Sequence, residues 1–367
     1  MTNQKERLFI RYPKASVFLF LIFFLCLSVF GLEFLYRIIQ RLRNDVPIFY
    51  HGLPHHRNHS AYTVIQPDSE LGWMIMPNVR MSQIIQDLEG NSYSLNFSTD
   101  AHGFRLRDTY PGGILFVGDS FTQAVDASDE YTYYAIVKQL LPQWPISGIG
   151  VAGFGTLQEF MLVDRVFSVV KPSVIVLQMC DNDLIDNTFE LVSRARLHPL
   201  YLRRPYYENG QVTYREQFGL RLATNSRIFW KIYNLWLDHS YLKLGSFVVD
   251  KDDNFSQLCD QTVATTRKIL EKGRENRPSV KFFAFSVGDR IKCPLHDKPP
   301  PSELLERAAT SAGYIWLGNL TVEVDRILGK KAMAGDGGHH NQLGNTLIGK
   351  LLAERLEQHL GSPEKHQ

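Results

Sequence analysis

Ile114-Leu115-Phe116-Val117-Gly118-Asp119-Ser120-Phe121-Thr122 is the stretch on which the reading of this chain turns. Its first four residues are apolar without alternation, the pattern of a strand buried on both faces of a parallel sheet. Ser120 therefore stands at the carboxyl end of a strand, just before a predicted helix. In open α/β sheets, sites lie beyond the carboxyl ends of the strands. A serine nucleophile needs a base, and the base needs a group that fixes its tautomer. Both occur more than two hundred residues later, in Asp336-Gly337-Gly338-His339-His340-Asn341. There a carboxylate precedes a histidine by three residues in a polar, glycine-rich loop. Either segment alone is weak, because a strand followed by Gly-Asp-Ser is often only a tight turn. In this order and together they point to a catalytic pair.

Two further pieces lie between them. Gly148-Ile149-Gly150-Val151-Ala152-Gly153-Phe154-Gly155-Thr156 follows a short apolar stretch and reads as a loop, too rich in glycine for a strand interior. Backbone N–H groups in such a loop can approach a ligand closely; the plain alternative is a strand-to-helix turn. Val174-Ile175-Val176-Leu177-Gln178-Met179 reads as a second buried strand, ending in Cys180-Asp181-Asn182-Asp183. An asparagine there can offer its amide to a developing oxyanion, or can cap a helix or close an Asx turn.

With these four blocks in view, the chain resembles the SGNH (GDSL-type) hydrolase and acyltransferase superfamily over about residues 100–360. The matching positions are Ser120, Gly153, Asn182, and Asp336 with His339. Thr99-Asp100-Ala101-His102-Gly103-Phe104-Arg105 also looks like a membrane-anchored bacterial branch of it. Gly148, Cys180 and Ala124 depart from the residues often found there, which are asparagine, glycine and glycine. The resemblance implies an α/β/α sandwich around a central parallel sheet, of flavodoxin-like type. It implies Ser120, His339 and Asp336 as the catalytic residues. The N–H groups of Ser120 and Gly153 with the Asn182 amide would form the oxyanion hole. It implies no cofactor and no metal. His340 is the rival base; the Asp-x-x-His spacing favours His339, and the family commonly has proline where His340 stands.

The chain has 367 residues, 44% of them hydrophobic, enough for a sizeable core in one or two domains. Forty basic residues against 38 acidic ones leave a net charge of +2, which argues against nucleic acid as a partner. Ser16 to Leu32 carries no charge and has no polar face. With Phe34 and Leu35 it approaches the ~20 residues of a membrane span. No small-x-small cleavage site follows, so an uncleaved single span is preferred to a signal peptide. Phe-Phe-Leu before Cys26 does not suit a lipoprotein anchor. Lys5, Arg7, Arg11 and Lys14 flank one side of the span and Arg37, Arg41 and Arg43 the other. Four charges against three lean toward the amino terminus inside, and the resemblance implies the same orientation, with the catalytic domain in the periplasm or outside the cell. Cys259 and Cys293 are the cysteine pair of the outer part, which export would permit but not require to bridge.

The expected organisation is a cytoplasmic tail at 1–15, a membrane helix at 16–36, a juxtamembrane connection at 37–98 and a catalytic domain at 99–362. In the connection, His51, His55, His56 and His59 read as a solvated segment rather than a metal site. Leu71 to Pro77 should pack onto the catalytic domain. Helices are expected from Asp129, over Gln158 to Val169, Phe255 to Glu275 and Gln342 to Leu360, with a strand at Val280 to Val287. An insertion at about 184–250 holds Arg203, Arg204, Tyr206, Tyr207, Phe229, Trp230, Tyr233 and Trp236, and is placed to wall the site. Aromatics with polar tips suit carbohydrate, though such stripes often simply pack. The resemblance, above all to the membrane-anchored branch, implies cleavage of acyl, foremost acetyl, esters, with O-acyl sugars as the leading substrate class. An O-acyltransferase on an exported polysaccharide would use the same residues. A non-catalytic assembly protein would be expected to have lost Ser120, Asp336 or His339, and all three are present.

Overall fold

The computed structural model describes residues 12–44, 64–194, 204–215, 226–229, 231–232, 254–288 and 299–361. The histidines at 51–59, the side chain of Cys259 and the whole of Cys293 lie outside the described residues, as do Arg203, Trp230, Tyr233 and Trp236. The chain divides into two units, Met1–His51 with Gly219–Asp238, and Gly52–Phe218 with His239–Gln367.

The first unit is built on helix α1, Pro13–Asn44. Its segment Pro13–Ile39 is long and apolar enough to cross a membrane. At 1.5 Å per residue, 27 residues rise about 40 Å, more than the ~30 Å of a hydrocarbon layer. Phe18, Leu19, Phe20, Leu21 and Phe23 are all exposed, so apolar side chains face outward on every side. Glu33 pairs with Arg37 at 2.8 Å and accepts hydrogen bonds from Ser226 Oγ and from the amides of Arg227 and Ile228. It thereby caps the turn of helix at 227–229. Ser226 and the turn at 227–229 belong to the unit of the amino-terminal helix. A carboxylate on an apolar helix here takes up the free amides of a helix start.

The second unit opens with two hairpins within the stretch expected to be a turn-rich juxtamembrane connection. Strand β1 (Ile65–Asp68) pairs antiparallel with β2 (Gly72–Ile75), and β3 (Arg80–Gln86) with β4 (Ser92–Ser98). The turn residues that suggested a linker close these hairpins. Asp68 Oδ1 accepts the amides of Glu70 and Leu71, and Asp87 Oδ1 those of Glu89 and Asn91. As expected of Leu71 to Pro77, Trp73 is buried against Phe154 of the catalytic core, with ring centroids 5.7 Å apart.

The central sheet contains β5 (Ile114–Gly118), β6 (Ile146–Gly150), β7 (Val174–Cys180), β10 (Lys281–Val287) and β11 (Ile315–Asn319). Its order is β11-β10-β7-β5-β6, and every pair is parallel. Counting these five alone from the amino end gives 2-1-3-4-5, the flavodoxin-like order. Between them run α2 (Ser120–Gln123), α3 (Tyr133–Leu140), α4 (Thr156–Val170), α5 (Asp183–Asp186), α6 (Phe189–Arg194), the hairpin β8 (Arg204–Glu208) with β9 (Gln211–Arg215), α7 (Asn254–Glu275) and α8 (Pro301–Ser311); α9 (Leu320–Ile327) and α10 (Gln342–Leu360) follow β11. On one face Ile114, Phe116, Val176, Phe283 and Phe285 meet Tyr133, Val137, Ile348, Leu352 and Leu356 of α3 and α10. All five residues of β5 and all seven of β7 are buried, as runs that are apolar but for Gln178 require. Asp129 and Glu130 form a 3₁₀ turn, and the helix proper starts at Tyr133 with Thr132 as its cap.

One expectation about glycine is corrected. Gly148 and Gly150 lie within strand β6, not in a loop. A Cβ on Gly148 would fall 2.6 Å from the Tyr134 ring, and one on Gly150 would fall 2.4 Å from the Gln123 amide nitrogen. These glycines admit a tyrosine and the first turn after Ser120 against the strand; the loop begins at Val151.

Candidate active site

The order of the sheet reverses between β5 and β7, which opens a crevice at their carboxyl ends. Ser120 and Asn182 both follow those ends. The turn around Ser120 is set by Gln178, a polar residue in the otherwise apolar β7. Its Oε1 accepts from the amides of Asp119 and Thr122, each at 3.2 Å, and from Thr122 Oγ1 at 2.8 Å. Asp119 caps α2 through the Phe121 amide at 2.9 Å. Burial pushes the Asp119 carboxyl up to about 6, against the opposing pull of the Phe121 amide and His339. Ala124 ends this turn at φ 49°, a left-handed conformation that costs a non-glycine residue ~1 kcal/mol. Buried Arg105 holds it there, donating to the carbonyls of Gln123, Ala124 and Ala127 at 2.9, 2.6 and 2.9 Å. The stretch Thr99 to Arg105 thus braces the back of the Ser120 turn.

His339 joins the two distant segments. Its Nε2 lies 2.9 Å from Ser120 Oγ, and its Nδ1 lies 2.5 Å from Asp336 Oδ2. The other oxygen of Asp336 accepts the amides of Gly338 and His339 at 2.8 and 3.0 Å. This Asx turn is why a three-residue spacing suits the pair: the carboxylate folds back over its own loop and meets the imidazole. Burial disfavours the imidazolium, but the Asp336 hydrogen bond and charge outweigh it, with Asp126 and Asp119 adding to them. The net effect holds His339 above its ordinary value of 6.5. With the Nδ1 proton on the Asp336 side, Nε2 is left to accept the serine proton. His340, the alternative base, is 3% exposed, and its ring packs on Phe121 at 5.5 Å. Asp126, Asp336 and His339 also bring a ligand atom each within 4.8 Å of one another. Both His339 nitrogens face Ser120 and Asp336, so a metal there would have to displace one of them.

Gly153 and Asn182 follow β6 and β7, the strands on either side of β5. Neither is hydrogen-bonded to Ser120 among the described residues. Gly153 has φ +77°, which glycine adopts without strain. The Asn182 carbonyl accepts the amides of Ile185 and Asp186, starting α5, while its side-chain amide donates to Asp186 Oδ2 at 2.9 Å. Its side chain therefore does not cap the helix. Cys180 is no competing nucleophile. Burial, then the charges of Asp181 and Asp119, push its thiol well above the ordinary range, and it donates to Asp181 at 3.1 Å.

Behind the site lies a group of buried carboxyls that the sequence reading did not single out. Glu159, in the first turn of α4, is fully buried, and among the described residues neither carboxyl oxygen has a hydrogen-bond partner. Burial, then the charges of Asp183, Asp119 and Asp186, raise it well above the carboxylate range. Asp183 is raised for the same first cause. A carboxyl whose folded value is raised supports the fold below its unfolded pKa of ~4.3, and that support is lost as pH rises through the folded value. The melting temperature of the full chain in detergent is therefore expected to fall between pH 5 and pH 8. Glu159→Gln should flatten that fall. Identical slopes in thermal melts of parent and variant would remove Glu159 from this role.

No family model matches the chain, and no curated protein matches it. Among solved structures the chain is similar to TesA, at 14% identity over 67% of this chain and 98% of that one, with a TM-score of 0.37. It is similar to a family 3 carbohydrate esterase of Clostridium thermocellum, at 14% identity over 68% and 98%, with a TM-score of 0.36. A catalytic mutant of the acetylxylan esterase Axe2 of Geobacillus stearothermophilus gives 17% identity over 69% and 97%, with a TM-score of 0.34.

Proposed function

We propose that this chain is a membrane-anchored serine esterase of the SGNH type, acting on acyl esters outside the cytoplasm. The observation that carries the proposal is the single imidazole lying between Ser120 Oγ and Asp336 Oδ2. Ser120 Oγ attacks the acyl carbonyl as its proton passes to His339 Nε2. Asp336 keeps the imidazole in the required tautomer and stabilises the imidazolium. The N–H groups of Ser120 and Gly153 and the Asn182 amide receive the oxyanion. The imidazolium then protonates the departing alkoxide, leaving an acyl-serine. Water or an alcohol, deprotonated by the same His339, resolves it. No step calls for a cofactor.

Acetyl groups on carbohydrate are the substrate class that the resemblance to membrane-anchored members of this superfamily implies. Mass spectrometry of the full chain incubated with acetylated glycans, with and without a sugar acceptor, tests this. Free acetate in both arms marks a hydrolase, and acetylated acceptor marks a transferase. Unchanged glycans in both arms, from protein that cleaves a simple acetyl ester, would remove carbohydrate from the proposal.

The placement of the catalytic unit rests on α1 and its flanking charges. A reporter that matures only outside the cytoplasm, fused after Gln367, is expected to be active. Activity of a cytoplasm-only reporter at that position would reverse the topology.

A further inference from the structure

Two side chains outside the four sequence blocks hold the loop that carries Gly153. Trp73, on β2, donates its Nε1–H to the carbonyl of Ala152 at 2.9 Å in a buried contact. That carbonyl and the Gly153 N–H belong to one peptide unit, which is planar and trans. Fixing the oxygen therefore fixes the direction of the Gly153 N–H. On the other side of the same Cα, Arg204 Nη2 donates to the Gly153 carbonyl at 2.5 Å. The two peptide planes that define Gly153, with its φ of +77°, are thus held from both ends.

Arg204 reaches the second oxyanion candidate as well. Its Nη1 lies 2.9 Å from Asp186 Oδ1, with the two side chains 6% and 0% exposed. Asp186 Oδ2 accepts the Asn182 side-chain amide at 2.9 Å. The Arg204 guanidinium lies 5.0 Å from the centroid of the Trp73 ring. A buried ion pair is weak evidence of stabilisation, because desolvation offsets much of the attraction. This pair has another consequence. It ties Gly153 and Asn182, which follow different strands, to one rigid planar group. An arginine fork can do this, whereas a lysine ammonium is a single point charge.

We propose that Trp73 and Arg204 are positioning residues for the oxyanion hole. Together they aim the Gly153 N–H and, through Asp186, the Asn182 amide at the oxygen that becomes negative during acyl transfer. This rests on the reading of Ser120 as nucleophile given above. Oxyanion donors act at 2.7–3.1 Å from a charge that exists only in the transition state. Misaiming them therefore lowers kcat and spares KM.

The test uses the full chain in detergent with a small activated acetyl ester. Trp73→Phe keeps a ring over Arg204 and removes the N–H; Arg204→Lys keeps the charge and removes the fork. Each is expected to lower kcat about tenfold or more, with KM within about twofold of the parent. Phosphonylation of Ser120 by a neutral phosphonate, which builds the same charge, should slow in proportion. Asn182→Ala should cost less in the Arg204→Lys background than in the parent, because the two act on one group. Parent-like kcat in folded Trp73→Phe or Arg204→Lys, or a loss carried by KM alone, overturns the proposal. If Arg204→Lys does not fold, Trp73→Phe decides, since it leaves the ion pair intact. A parent whose hydrolysis survives Ser120→Ala would instead overturn the reading of function beneath it.

Discussion

Ser120→Ala is expected to lower kcat toward a small activated acetyl ester by ~10⁴-fold or more, and His339→Ala by a similar amount. The two residues share one proton transfer across the 2.9 Å between Ser120 Oγ and His339 Nε2. Once the hydroxyl is gone the base has nothing to deprotonate, and without the base the hydroxyl is a poor nucleophile. The double variant should therefore lose little beyond either single one. Independent, additive losses would mean that the two do not act as a unit. His340→Ala provides the contrast. That side chain is buried against Phe121, and it is His339 that meets Ser120 Oγ, so removal of His340 should cost stability and leave kcat within about tenfold, a barrier change below ~1.4 kcal/mol. Should His340→Ala lose more turnover than His339→Ala, the base would be His340.

The parts of the site that were legible in the sequence are those whose side chains carry the proposed chemistry. Ser120, Asp336 and His339 could be matched because their roles restrict residue type and, for the last two, spacing. The sheet was equally legible, since β5 and, but for Gln178, β7 are apolar runs without alternation, which burial on both faces explains. What stayed hidden was support at long range. Trp73 sits in a hairpin whose turn residues read as a linker, and its partner Ala152 is 79 positions away and offers only a backbone carbonyl. A backbone acceptor leaves no mark on residue identity. Arg204 was noted as one arginine in an aromatic insertion, with nothing local to separate it from Arg203. Gln178 did leave a signal, a polar side chain inside a buried strand, because burying an unpartnered amide costs free energy. The glycines of β6 misled for a related reason. Glycine reports a close approach or an unusual φ, and sequence alone does not say which. At Gly148 and Gly150 it was the neighbouring Tyr134 ring and Gln123 amide, and at Gly153 the positive φ.

Asp336→Asn should separate orientation of the imidazole from its mere presence. The Asp336 carboxylate can only accept, so it keeps the proton on His339 Nδ1 and leaves Nε2 free to receive the proton of Ser120. An asparagine amide presented to Nδ1 favours the opposite tautomer, in which Nε2 already carries hydrogen. The serine proton then has nowhere to go, and kcat is expected to fall by ~10⁴-fold while the fold is retained. The pH profile gives a second readout. Burial alone would lower the His339 value; the hydrogen bond and charge of Asp336, with Asp126 and Asp119, raise it above 6.5. A general base must be neutral, so in the parent kcat/KM should rise with pH through a midpoint above 6.5. Removing the Asp336 charge leaves burial to dominate, and the acid limb of the residual activity should move to lower pH. An Asp336→Asn enzyme within tenfold of the parent, or an acid limb that did not move, would mean that Asp336 neither orients nor charges the base.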